Sequence, residues 1–491
     1  MNTIARTNSL LAPAAALACA AGAAADWIPA TVFPAVPQVQ GCMGAAIAAW
    51  QASASSESAN QAIPGTIWVG APLATGNARQ CGVIEVWSFN ATSLQWMYRG
   101  QMGSASALPG AMFGASIAQS STLLVVGSPC SRGLASQAPN GRELAGLVEV
   151  FTGVSGTTAP TGTGVARLNP TPMAVGGDMF GTSVALGPAS DGSGSRIFAS
   201  APLANVGASA DAGRVHCFRF VTDVGWQNVA TFSMPKPLAF DRLGAEIATD
   251  GDRLYASVDR NGGMVATFTA PDNVAQYDGL IAAPAAAGAA VSGFGRAMDV
   301  DAGFLVVGAP GAYGQPADEG TVFVLDAAPP HAVRSVIASP FPGECAGFGA
   351  CVALRNGTLV IGTASGEASA TDGKVATYEL SAEGIAALRS IHAGEARTGF
   401  GSAVATSGWH VAMGAPTAGD ALSGKVRTES RRTPLRSPDL NGDGVVSGSD
   451  LGLLVGMFKV LAENSPGDLN YDNSVDGADL AILLGAWGTA G

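Results

Sequence analysis

Charge is scarce in this chain. Asp, Glu, Lys and Arg supply 13% of its 491 residues, about half the usual share of roughly 25%, which excludes a charge-rich disordered protein. The charge that exists leans acidic, with a net of −12 and a pI near 4.8. No basic footprint is there to hold a phosphate backbone, so nucleic acid is not expected as a partner. Histidine is nearly missing: His216, His331, His392 and His410 are the full set, and no two are spaced as metal ligands. No Gly-x-Ser-x-Gly elbow, HExxH helix or phosphate loop occurs. Long apolar runs are absent beyond the N-terminus. The stretch 280–291 is short and broken by Pro284 and Gly288, whereas a membrane-spanning helix needs about 20 apolar residues. No mature transmembrane helix is expected.

The N-terminal apolar stretch reads as an export signal over residues 1–25. Arg6 is its positive start, Leu10 to Leu17 and the following alanines are its core, and Ala23, Ala24 and Ala25 offer small residues before Asp26. A secreted, periplasmic or cell-surface protein is therefore expected after cleavage. Leu17-Ala18-Cys19 is only a faint lipoprotein box, with Ala16 where such boxes usually carry Leu. Cleavage removes Cys19 and leaves Cys42, Cys81, Cys130, Cys217, Cys345 and Cys351. An even number in an oxidising compartment permits disulfides without fixing their connectivity.

What the chain has in excess is glycine, 66 residues, about twice the usual 7%. Glycine is costly inside helices and useful in tight turns, so many short strands are favoured over a helical bundle. The glycines also mark a repeat. MGAAIA, FGASIA, FGTSVA, LGAEIA, FGRAMD, FGACVA and FGSAVA begin at Met43, Phe113, Phe180, Leu243, Phe294, Phe348 and Phe400, at intervals of 70, 67, 63, 51, 54 and 52 residues. A second apolar run follows each start, as in LVVGSP from Leu124 and LVVGAP from Leu305. A third run opens with Gly, as in GVIEVW from Gly82 and GLVEVF from Gly146. Such runs bounded by Gly and Pro are strand signals. Fourth-strand candidates fall at 96–101, 165–169, 226–232, 277–282, 333–338 and 386–391. The seventh copy lacks one, and residues 27–33 echo 226–232, so the N-terminal strand is expected to complete the last unit.

Seven four-stranded units around an axis predict a mainly β fold, a seven-bladed β-propeller over residues 26–430. A monomer is expected. The Phe-Gly start, the Gly-Ala-Pro turn and the Gly-x-Val strand resemble the FG-GAP repeats of the integrin α-chain head. Calcium-binding repeats of that family carry an Asp-rich loop between the Phe-Gly and Gly-Ala-Pro strands. Here that interval reads QSSTL, DAGFL or RNGTL, so Asp299 with Asp301 and Asp250 with Asp252 read as solvated turn acids, not propeller metal sites.

A linker is expected over 431–438 and a small domain over 439–491. DLNGDGVVSGSD starts at Asp439 and DLNYDNSVDGAD at Asp468, 29 residues later. Both are 12-residue loops with oxygen side chains at positions 1, 3, 5, 9 and 12, the EF-hand-type spacing that wraps a chain around Ca²⁺. Two calcium ions are therefore expected. In the first loop Asp439, Asn441, Asp443 and Asp450 are candidate side-chain ligands, Val445 offers its carbonyl and Ser447 acts through water. In the second the candidates are Asp468, Asn470, Asp472, Ser474, Asp476 and Asp479. Leu451, Leu454, Val455 and Phe458, and again Leu480, Leu483, Leu484 and Trp487, follow at helical spacing and predict two packed apolar faces. This duplicated loop-helix unit resembles a type I dockerin. The resemblance implies calcium binding and attachment to a cohesin-like protein, often within polysaccharide-degrading assemblies. The family's docking positions, commonly a hydroxyl pair, are Gly448-Ser449 and Gly477-Ala478 here, so the calcium site carries over and the docking pair is unmatched.

Taken together, the expectation is an exported calcium-binding interaction protein that binds a cell-surface or extracellular glycan or protein. No catalytic residue is assigned. The alternative is a secreted carbohydrate-active hydrolase, which would need a carboxylate pair across the propeller channel. Glu85, Glu149 and Glu246 fall in strands, and nothing in the sequence selects a pair among them.

Overall fold

The computed structural model describes residues 27–35, 41–51, 65–76, 80–90, 95–104, 109–120, 122–131, 144–152, 165–188, 194–269, 274–284, 292–311, 319–342, 347–363, 372–419, 422–431, 439–441, 443–458, 467, 469, 475, 477–485 and 487–488. The export signal at 1–25, Cys345 and residues 432–438 of the linker lie outside them. Arg431, expected in the linker, instead ends a strand.

Seven antiparallel four-stranded sheets follow one another around a channel, forming a seven-bladed propeller. Blade 1 shows the plan: inner strand Ala46–Gln51, then Gly65–Ala71, Val83–Asn90 and outer strand Gln95–Met102. The inner strands of blades 2 to 7 are Ser116–Gln119, Val184–Pro188, Ile247–Thr249, Ala297–Asp301, Phe348–Arg355 and Val404–Thr406. Blade 7 takes its outer strand from the other end of the chain. Trp27–Val32 pairs with Lys425–Arg431 in the register Trp27↔Arg431 to Val32↔Val426, closing the ring as the repeat arithmetic required.

The motifs are seam chemistry. The first residue of each start fills the cleft between its blade and the preceding one: Phe113 packs with Trp68 and Val86 of blade 1, and Phe180 with Val148 and Val150 of blade 2. Seven apolar clusters result, one per seam, including the closing seam where Val32 and Met43 join Ile67 and Val426. Burying each aromatic contributes roughly 1.5–3 kcal/mol. The glycines let backbones touch. Phe113 N–H donates to Cys81 O at 2.9 Å, and a Cβ at the adjacent Gly82 (φ +87°) would overlap the Phe113 backbone. Likewise, a Cβ at Gly127 of the second run would strike the carbonyl of Gly181 in the next blade.

Asp299 and Asp301 depart from the expectation of solvated turn acids. Leu354 N–H donates to Asp299 at 2.7 Å, Asn356 N–H donates to Asp301 at 2.7 Å, and Arg355 reaches Asp301 at 3.0 Å. They clamp blade 5 to blade 6. Asp250 does cap its own turn, accepting from the N–H of Asp252 and Arg253, while Asp252 is tied to Arg196 at 3.3 Å. Cys130, Cys217 and Cys351 are free thiols. No helix among the described residues is long and apolar enough to cross a membrane.

Beyond the propeller lie two nine-residue helices, Gly448–Gly456 and Gly477–Gly485. Val446, Leu454, Leu469, Val475 and Leu483 form their shared core, with Leu440, Leu451, Phe458 and Leu480 against it. The two apolar faces are only partly used. Val455, Leu484 and Trp487 stay about half exposed, while the loop residues Val446 and Val475 join Leu454 and Leu483 in the core.

Candidate functional site

In the first C-terminal loop, short-range hydrogen bonding draws the oxygen side chains together. Asp439 accepts from the N–H of Asp443 at 3.2 Å and of Gly444 at 2.8 Å. Asn441 accepts from Asp443 N–H at 2.9 Å and donates its amide to the Asp443 carboxylate at 2.8 Å. Gly444 makes the turn at φ +88°, where a side chain would be strained. Val445 N–H donates to Asp443 at 2.9 Å, and the Val445 side chain faces solvent. Ser447 is the N-cap of the first helix, reciprocated by Asp450 in a capping box.

Asp450 is fully buried. Its carboxylate accepts from the N–H groups of Leu440, Asn441 and Ser447 at 2.8, 3.1 and 2.8 Å. Burial pushes its pKa up, but these N–H groups outweigh burial and hold it below the usual value. In the second loop Asp468, Asn470, Asp472, Ser474 and Asp476 lie outside the described residues. Asp479 is described, is equally buried, and accepts Leu469 N–H at 2.7 Å. That contact repeats the Asp450–Leu440 bond 29 residues on. Among the described residues no three His, Cys, Asp or Glu side chains are gathered into a ready metal shell.

The second concave site is the propeller channel, a cavity of about 730 Å³ to which all seven blades contribute, blade 4 through Ala245 and Glu246 just ahead of its inner strand. Of the three glutamates weighed for hydrolysis, only Glu246 lines it. Glu85 lies on the third strand of blade 1, where it accepts Ala35 N–H at 3.1 Å and Trp87 Nε1–H at 3.2 Å. Glu149 is buried on the third strand of blade 2 with Arg167 at 3.9 Å. The three therefore supply no pair across the channel. Burial lifts Glu246 to about 8 against the pull of Arg296. Cys351 donates to Gly401 O at 2.8 Å and is pushed by burial to about 12, so it is no nucleophile.

The histidines are packed. His216 is buried against Asn228 and Thr231, and burial lowers it to about 4. His410 meets Ser430 at 2.9 Å. His392 joins a string that sequence reasoning missed: Ser390 Oγ to Nε2 at 3.0 Å, and Nδ1 to Glu429 Oε1 at 3.3 Å. The connectivity is that of a hydrolytic triad. Yet burial lowers His392 to about 4, Ser390 is also bonded to Thr377, and neither Ser390 nor His392 lines the channel cavity. The string joins the outer strand of blade 6 to blade 7. Arg296 was missed too, although in the aligned starts it stands out as a charge among Ala, Thr and Ser.

No protein-family model matches the chain, and no curated protein matches it. Among solved structures it is similar to one titled "Structure of U3-55K", with 12% identity, a TM-score of 0.43, and coverage of 83% of this chain and 99% of that one.

Proposed function

We propose that the chain is an exported, calcium-binding interaction protein in which an FG-GAP-like propeller recognises an extracellular glycan or protein and a dockerin-like C-terminal pair attaches it. The observation that carries the reading is the duplication at the tail. Asp450 and Asp479 each accept the N–H of the leucine ten residues back, and Val446/Val475 and Leu454/Leu483 are matched core positions. A chance acidic tail has no reason to repeat both.

The donor set suits calcium: carboxylates, a carboxamide and a carbonyl are hard oxygen ligands, and in the first loop Asp439 and Asn441 are each hydrogen-bonded to Asp443. Asp439, Asn441, Asp443, the Val445 carbonyl and Asp450 would hold one ion, and Ser447 would do so through water. Asp468, Asn470, Asp472, Ser474, Asp476 and Asp479 would hold the other. Bound calcium would neutralise clustered carboxylates and fix the loops that start both helices. At a free concentration of about 1,000 times Kd it would stabilise this pair by roughly 4 kcal/mol.

Calorimetric titration of the full chain should show two calcium ions, and Asp443→Ala and Asp472→Ala should each remove one. Binding that survives both substitutions together would sink the reading. Export predicts a mature N-terminus near Asp26 by mass spectrometry of the secreted protein, and an uncut Met1 terminus would contradict it.

A further inference from the structure

The channel wall repeats with the blades, which makes its exceptions visible. At the residue after the motif glycine the seven starts carry Ala, Ala, Thr, Ala, Arg296, Ala and Ser. One residue on they carry Ala, Ser, Ser, Glu246, Ala, Cys and Ala. The two charged side chains come from adjacent blades 4 and 5, and both line the cavity. Among the described residues no hydrogen bond or ion pair closes on either side chain, and Arg296 is solvent-exposed. The third charged lining residue, Asp259, is engaged by Arg242 at 3.7 Å.

Glu246 occupies a special register. At the equivalent position in blades 2 and 6, Ser116 and Cys351 donate to the carbonyl of the next blade's motif glycine, Gly181 and Gly401. A carboxyl can serve as such a donor only when protonated, and burial favours that state. Near neutral pH a protonated Glu246 does not offset the Arg296 guanidinium beside it, in a cavity whose volume lies within the roughly 300–1,000 Å³ of small-molecule sites. A single exposed guanidinium matches one carboxylate through two parallel hydrogen bonds. Phosphate would want more donors than one arginine provides. Around it Ser116, Ser183, Ser257 and Ser402 present hydroxyls, each with acceptor capacity remaining.

We propose that the propeller channel binds a small polyhydroxylated carboxylate, its carboxylate held by Arg296 and its hydroxyls by Glu246 and the surrounding serines. The site goes beyond the calcium reading and stands without it.

The test is calorimetric titration of the full chain at pH 7 with D-glucuronate, D-glucose and inorganic phosphate. Glucuronate should bind at least about tenfold more tightly than glucose or phosphate, and Arg296→Ala should remove that advantage while Arg296→Lys retains part of it. Ala350→Phe, which places bulk in the same cavity, should weaken glucuronate without touching either charge. Thermal melts of all three variants should match the parent, so that lost binding is not lost folding. Asp443→Ala should leave the affinity unchanged, and an equal loss there would move the ligand to the tail and overturn the channel site. The absence of glucuronate binding, equal affinity for glucose, tighter phosphate binding, or indifference to Arg296→Ala would each overturn it as well.

Discussion

The propeller seams and the C-terminal pair both hold short elements together, and they do so by opposite means. A seam buries an aromatic or large aliphatic side chain and lets glycine backbones meet, as Phe113, Gly82 and Gly127 do. The C-terminal pair has five buried apolar residues among those described and relies on two buried carboxylates, Asp450 and Asp479, to fasten its loops. A ring shares its core among neighbours, so polar groups there are free to vary. A module this small has little apolar area to bury, and its polar groups carry the fold, which is why a cation should matter to it.

The largest way to break this contrast is Gly82→Val. The new Cβ overlaps backbone atoms of Phe113 at a φ of +87°, and neither backbone can yield without opening the seam. A loss above about 4 kcal/mol is expected, read as failure to recover a cooperatively melting propeller. A native melt would refute the seam account. Phe113→Ala should come next, costing about 3–5 kcal/mol by thermal denaturation, while calcium heats at the tail stay unchanged.

A pH series sharpens the contrast between charge in the channel wall and charge in a loop. Glu246 has a folded pKa near 8, raised from 4.5, so the folded state keeps a proton that the unfolded state has lost. The associated stability is therefore full below about pH 4.5 and is lost as pH rises through 8. Glu246→Gln should gain on the parent across that window, by roughly 2–3 kcal/mol after allowance for solvent screening of a partly exposed side chain. Melts at pH 5, 7 and 9 check it, and parallel curves would contradict it. The smallest effect is Asp450→Ala. Loss of its loop-fastening and capping bonds should be seen as lost hydrogen-exchange protection at Leu454 with the propeller melt unmoved.

Much of the ring was legible because its periodicity is written in glycine. The starts at Met43 through Phe400 and the missing seventh outer strand were enough to place Trp27–Val32 beside Lys425–Arg431. The C-terminal duplication was legible for a similar reason, since its 29-residue interval returns in Asp450 and Asp479 accepting from Leu440 and Leu469. The helix faces were read less well. Val455 and Trp487 fit a helical period, but whether a period is buried depends on what covers it, and here they stay about half exposed while the core draws Val446 and Val475 from the loops.

Repeat number, strand order and ring closure were thus determined by the sequence alone, because each blade uses the same short code and seven copies leave one strand to be supplied. The tertiary structure alone decided which residues meet across blades. Asp299 and Asp301 became clamps on the backbone of blade 6, Glu429 came to face His392, and Arg296 and Glu246 were left together in the channel wall. Those partners lie 37 to 55 residues apart in sequence. Their meeting depends on the rotation from one blade to the next and on the depth of each side chain in the sheet, quantities set by packing around the whole ring.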